Sequence, residues 1–233
     1  MRKEPFFVGD FVHVYNRGNR RMDIVSDTND RWRFVNILRY FNDEMSSVNK
    51  LRNISFLLKS NFNRYSWPKE WKAQRPIVKI LAYCLMPNHF HLLLKEIKEG
   101  GITAFMRRVG VGYTNYKNTK ENNVGKIFQG SYKARTIKDE IHLQYVDAYI
   151  QVFNPFELID GADLKNNFDK AFRAAADYNF CSLAESFGEK NRLIVDRDIL
   201  ADKFETIEKY KEFAYDAFSC GGITKFLREA SID

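Results

Sequence analysis

Cysteine, histidine and long apolar runs are all scarce in this chain, and so is negative charge in its middle. Only 3 cysteines occur among 233 residues, at Cys84, Cys181 and Cys220, far apart and without a CxxC spacing. That argues against a disulfide framework or a zinc knuckle and points to a reducing cytoplasm. No apolar run approaches the roughly 20 residues that span a bilayer, so a soluble protein with no membrane attachment is expected. The opening "MRKEPFFVGDFVHVYNRG" sets charge before apolar residues, but Asp10 and His13 interrupt it well short of a signal-peptide core. What is present is globular: 45% of residues are hydrophobic and 15% aromatic, with no internal repeat or low-complexity tract.

The scarcity of acid is local. Between 106 and 138 stand Arg107, Arg108, Lys117, Lys120, Lys126, Lys133, Arg135 and Lys138 against Glu121 alone, in a chain whose net charge is +7. Such a field draws polyanions, and Tyr113, Tyr116, Phe128 and Tyr132 within it are of the type that stacks on unpaired bases. A solvated helix face with ordinary core aromatics would give the same composition. The stretch 196–218 reverses the balance, with seven acids against four bases.

Patterning predicts the elements. "FFVGDFVHVYN" reads as a strand ending near Asn16 at the turn signal "RGNR". From Ser26 and Asp27, cap candidates, Trp32, Val35, Leu38 and Phe41 recur at helical spacing. Residues 45–75 lack periodicity and predict short helices and loops. "PIVKILAYCLMP" and "HFHLLLK" form a hairpin about Pro87 and Asn88. Ile102, Phe105, Met106, Val109 and Tyr113 mark one helical face, weakened by Gly110 and Gly112. "KIFQGSYKARTI" reads as a strand, and "DEIHLQYVDAYIQVF" as a helix stopped by Asn154 and Pro155. The order strand, helix, strand, strand, helix, strand, helix is an α+β layout, an antiparallel sheet covered by helices. A boundary near 157 separates residues 1–157 from a helical extension, 158–233.

Two of the 4 histidines lie in "MPNHFHLLLK". Strand alternation puts His89 and His91 on one face, about 7 Å apart at Cα, while Phe90 turns to the core with Leu92 and Leu94. Two imidazoles on one face can converge on a metal ion, although a short HxH pattern is only moderately specific. Tyr145 and Tyr149, four apart, share one side of the following helix. His13 and His142 read as structural. Asn16, Arg17, Arg20 and Arg21, after the first strand, are candidates to grip phosphates or a DNA end. Lys133 and Arg135 alternate to one side of their strand and are candidates for backbone contact, as are Arg107 and Arg108 in the basic field.

In four passages, "VYNRGNRR", "AYCLMPNHFHLLLK", "IFQGSYKARTI" and "AYIQVFNP", the chain resembles the single-tyrosine HUH transposases, in particular the REP-associated, IS200-like branch. A weaker similarity surrounds "NFCSLAESFG". The resemblance implies a ferredoxin-like core whose central strand carries His89 and His91. It also implies a nucleophilic Tyr149, with Tyr145 the fallback, and a divalent metal, Mg2+ or Mn2+. The substrate it implies is single-stranded or hairpin DNA, cut and rejoined through a 5′-phosphotyrosine in the cytoplasm, beside the nucleoid of a bacterium or archaeon. A homodimer is one expected assembly. The third metal ligand is expected one helical turn beyond the tyrosine. Four residues on stands Phe153; Gln151 and Asn154 are the polar candidates, and Asn154, about 140° round from Tyr149 on a regular helix, fits only if the helix distorts before Pro155. The competing expectation is a DNA-binding protein that kept the fold and lost catalysis, for which Phe153 is the argument. A structural zinc protein fits poorly, since no cysteine joins the histidines at ligand spacing.

Overall fold

The structure, a computed structural model, describes residues 5–45, 67–69, 71–159, 167–190 and 192–221. Most of the 45–75 stretch therefore lies outside the described residues. Strand β1 (Phe11–Arg17) leads into helix α1 (Thr28–Phe41), then the hairpin of β2 (Val78–Leu85) and β3 (His89–Glu96), helix α2 (Gly101–Glu121) and β4 (Lys133–Thr136). The sheet order is β2-β3-β1-β4, with each neighbouring pair antiparallel. This is the ferredoxin-like arrangement, with β3 and β1 in the centre. The last strand is shorter than the sequence predicts: residues 127–132 meet the end of β1 irregularly, through a bridge between Gly18 and Phe128 and a hydrogen bond from Gln129 N to Arg17 O at 2.9 Å.

Each face of the sheet has its own core. Val12, Val14, Phe90, Leu92 and Leu94 pack against α1 and α2 through Phe34, Leu38, Phe105 and Val109. Burying such a side chain contributes roughly 1.5–3 kcal/mol. Helix α1 begins at Asp27, whose side chain accepts from Asp30 N, and α2 begins over Glu96, whose carboxylate accepts from Gly101 N at 3.0 Å and Ile102 N at 2.7 Å.

On the opposite face Leu81, Cys84 and Leu93 meet Leu143, Val146 and Ile150. These belong to α3 (Glu140–Ala148) and to a π-helical turn, Tyr149–Phe153. Helices α4 (Phe168–Asp177) and α5 (Ile207–Ser219) complete this layer, with single helical turns at Leu183–Ser186 and Leu200–Lys203. Residues 180–182 run along the outer edge of β2, where Leu85 N donates to Phe180 O and Ser182 N to Tyr83 O, each at 2.9 Å. This part of the β2 edge is thereby paired.

Part of the basic field is neutralised inside the fold. Lys117, 3% exposed, binds Asp30 at 2.8 Å and Glu121, and Lys120 binds Asp27 at 2.7 Å. Tyr113 and Phe128 are buried, and Tyr116 donates to Asp30. The field is accordingly narrower than the sequence suggests. Among the described residues no helix is long and apolar enough to cross a membrane.

Candidate active site

His89 and His91 share the face of β3 opposite Phe90, and both are buried, 7% and 3% exposed. Their ring centroids are 5.1 Å apart. The site is built around them by His13, Asn88, Asn154 and Tyr149. On the adjacent strand, His13 lies across from Leu93, one step along the same face from Tyr15, which is opposite His91. His13 Nε2 comes within 2.8 Å of His91 Nδ1. Burial pushes His13 down to about 3, with the His142 and Arg135 charges adding to it, and burial likewise lowers His91 and His89. The imidazoles are therefore neutral at ordinary pH. A proton on His91 Nδ1, donated to His13, leaves His91 Nε2 with its lone pair.

At His89 the hydrogen-bond network assigns the tautomer. Asn88 Nδ2 donates to Arg21 O at 3.4 Å, which turns Asn88 Oδ1 toward His89 Nδ1 at 2.6 Å. That nitrogen carries the proton, and Nε2 does not. Facing Nε2 at 3.3 Å is Asn154 Oδ1, oriented because Asn154 Nδ2 donates to Tyr149 O at 3.2 Å. With the proton on Nδ1, Nε2 and Asn154 Oδ1 present lone pairs to one another in a buried place, which a cation would relieve; with the proton on Nε2 the same contact would be a hydrogen bond. The donor set of two imidazole nitrogens and an amide oxygen suits a transition ion or, with added water, Mg2+. Among the described residues no group of three or more His, Cys, Asp and Glu side chains is arranged to hold a metal ion, so an ion here would depend on the amide.

Asn154 reaches this position because the helix distorts. Through Tyr149–Phe153 the backbone is π-helical, and Asn154 N donates to Tyr149 O, five residues back. The inserted residue carries Asn154 round to the tyrosine's side and turns Phe153 onto Phe156 and Phe218, at ring distances of 5.4 and 5.9 Å. Single π turns of this kind recur at functional sites. Tyr149 itself stands edge-on to His91, with centroids 5.2 Å apart, and to His13 at 6.1 Å. Tyr145 instead packs on Phe213 of α5.

The pocket over the imidazoles, about 430 Å³, is lined by Asn16, Arg17, Arg21, Lys133, Tyr149 and Glu157 among others. Four of the predicted phosphate-gripping residues are thus brought to the histidines and the tyrosine. Gly18 makes the turn between them possible, since a Cβ there would stand 1.9 Å from Met22 O. Arg20, exposed at the tip of that turn, does not line the pocket, and Arg135 lies across from His13 on β4. Arg107 lines a second cleft. Arg108 donates to Phe41 O at 3.1 Å and Asp43 O at 2.7 Å, closing the carboxyl end of α1 instead. The sequence reading took His13 as structural and assigned neither Asn88 nor Glu157 to the site; the β1–β3 register brings His13 here, the hairpin turn Asn88, and the end of the tyrosine's helix Glu157.

Gln151 is not brought to the imidazoles. Its Nε2 donates to Asp147 Oδ1 at 2.8 Å, and its Oε1 accepts from Ser182 and Ser186, each at 2.8 Å. It ties the tyrosine's helix to the C-terminal layer. Gln151→Leu should strand these buried groups, at about 1–3 kcal/mol for each left unpaired, a loss that urea unfolding measures. Burial pushes the Asp147 carboxyl up to about 7, against the hydrogen bonds from Tyr210 and Gln151. A carboxyl raised on folding contributes stability that is complete below its unfolded value and is lost as pH rises through about 7. Stability should therefore fall by up to about 1.4 kcal/mol per pH unit across that window. Asp147→Asn should flatten the profile in thermal melts; an unchanged slope would assign it to another group.

The ferredoxin-like sheet thus sets paired imidazoles and a helix-borne tyrosine in one pocket with Arg17, Arg21 and Lys133. Residues 64–152, which contain the hairpin histidines and Tyr149, match the family model described as "Transposase IS200 like". No curated protein matches the chain. A similar solved structure is described as "Structure of the REP associates tyrosine transposase bound to a REP hairpin"; it is 15% identical, the match covers 79% of this chain and 82% of that one, and the TM-score is 0.45.

Proposed function

We propose that the protein is a transposase that cleaves and rejoins single-stranded DNA, beside a hairpin, with Tyr149 as nucleophile. The observation that carries this reading is the π turn, which sets Tyr149 and Asn154 together against His89 and His91. His89, His91 and Asn154 would hold a divalent ion, Mg2+ or Mn2+, which when bound supplies Lewis-acid polarisation of the scissile phosphate. His13 and Asn88 fix the two ring orientations from behind, as outer partners of metal-ligating histidines do. Arg17, Arg21 and Lys133 hold the flanking phosphates as fixed charges. The Tyr149 oxygen attacks phosphorus; a tyrosyl O–P bond forms as the P–O3′ bond breaks, and the 3′ oxygen leaves to become a hydroxyl. The phosphotyrosine retains the bond energy, so rejoining needs no ATP.

The binding-only alternative rested on Phe153, and Phe153 packs on Phe156 and Phe218 while Asn154 stands at His89. This reading calls for the cytoplasm and its nucleoid, where the free thiols Cys84, Cys181 and Cys220 would stay reduced. The test incubates the protein with labelled hairpin DNA bearing single-stranded flanks and Mn2+. A denaturant-resistant adduct is expected; none across varied hairpins would sink the enzyme reading.

A further inference from the structure

A second cavity, about 550 Å³, opens beside the first, between α2 and the 125–132 loop. We propose that it is a nucleobase site, taking the base of a nucleotide that flanks the scissile phosphate in single-stranded DNA. The inference rests on the DNA-cutting reading above and deepens it.

Three observations carry it. The two cavities share Asn16, Gly130 and Ser131, and Asn16 Nδ2 donates to Gly130 O at 3.1 Å across the divide. A nucleotide with its phosphate at the imidazoles would therefore have this second opening as the adjoining place for its base. The chemistry of the walls changes accordingly, from charged residues in the first cavity to Met106, Phe128 and Tyr132 in the second, with Arg107 and Lys126 at the same cleft. Apolar and aromatic walls beside cations suit a base on its sugar-phosphate chain.

The third observation is Gly110. A glycine inside a helix costs about 0.5–1 kcal/mol relative to alanine. Close packing would explain that cost, but a Cβ at Gly110 would meet nothing within 4 Å. The missing side chain leaves room on the cleft wall rather than for a neighbour within the protein. Thr114 and Asn115 beside it offer groups that can hydrogen-bond the edge of a base.

The test measures binding at fixed salt in a Tyr149→Phe background, which leaves the DNA uncut. The probes are a fluorescent DNA hairpin with a mixed-sequence single-stranded tail and the same hairpin with an abasic tail. The base-bearing tail should bind about tenfold tighter. Gly110→Phe, which fills the cleft, should reduce that preference to about twofold or less and leave abasic binding unchanged, whereas Gly110→Ala should keep it. Thr114→Phe, from the same wall, replaces Gly110→Phe should the latter melt early. Full preference in a folded cleft-filling variant would overturn the proposal, as would equal binding of both tails by the starting protein. A change in sedimentation on filling the cleft would make it a face between two copies and overturn the proposal too. Those results leave the DNA-cutting reading standing; failure of the protein to bind either tail would remove that reading and this inference with it.

Discussion

Tyr149→Phe is expected to abolish the covalent adduct with single-stranded hairpin DNA while leaving the protein folded and able to bind that DNA. The substitution removes one oxygen and keeps the ring that packs edge-on to His91, at a position only 7% exposed. Among the described residues, Tyr145 is turned onto Phe213, and Tyr15, which also lines the pocket, lies stacked on His91 and His13 within the sheet. Tyr145→Phe should accordingly retain the adduct. Denaturing gels of protein with end-labelled DNA distinguish the two, and an adduct formed at wild-type level by Tyr149→Phe would mean that another residue is the nucleophile. Binding by Tyr149→Phe should weaken steeply with salt, because the substitution leaves Arg17, Arg21 and Lys133 in the pocket as the proposed phosphate contacts.

The second large effect is expected on metal affinity. His91→Ala or His89→Ala removes one of two imidazoles and should weaken Mn2+ binding by more than the roughly 10–100-fold that loss of an outer partner costs. Asn154→Ala removes the amide oxygen that faces His89 Nε2 at 3.3 Å, and should rank with the histidines. His13→Leu should fall in the 10–100-fold range, since it removes only the partner of His91 Nδ1. Gln151→Leu should leave Mn2+ affinity nearly unchanged in protein that remains folded, because its side chain serves Asp147, Ser182 and Ser186. Electron paramagnetic resonance of free Mn2+ reads these affinities without any turnover. Equal loss in Gln151→Leu and Asn154→Ala would show that the ligand has been misassigned between them.

Much of the architecture was legible along the chain. The hairpin about Pro87 and Asn88, the faces of α1 and α2, and the placing of Phe90 opposite the two histidines follow from local periodicity and turn chemistry, which the fold preserves. The strand expected over 126–137 contracted to Lys133–Thr136, because pairing with β1 and not local propensity limits an edge strand. Of the eight cations in the basic field, Lys117 and Lys120 are engaged by Asp27, Asp30 and Glu121, the first two of them from the distant start of α1. Composition counts charges but does not pair them.

Sequence alone determined that His89 and His91 share a face, because alternation along a strand needs no information from elsewhere in the chain. Only the tertiary structure decided what stands around them. His13 meets His91 through the antiparallel register of β1 on β3, 78 positions apart in sequence, and Arg17 and Arg21 reach the same pocket by the turn at Gly18. The choice among Gln151, Phe153 and Asn154 was likewise closed to sequence reasoning. A π turn keeps its backbone bonds internal, and here it lets Phe153 bury against Phe156 and Phe218 and Gln151 bind the C-terminal layer while Asn154 turns to the histidines. That combination is selected by packing on both sides of the helix at once, and a pattern of side chains along one segment does not contain it.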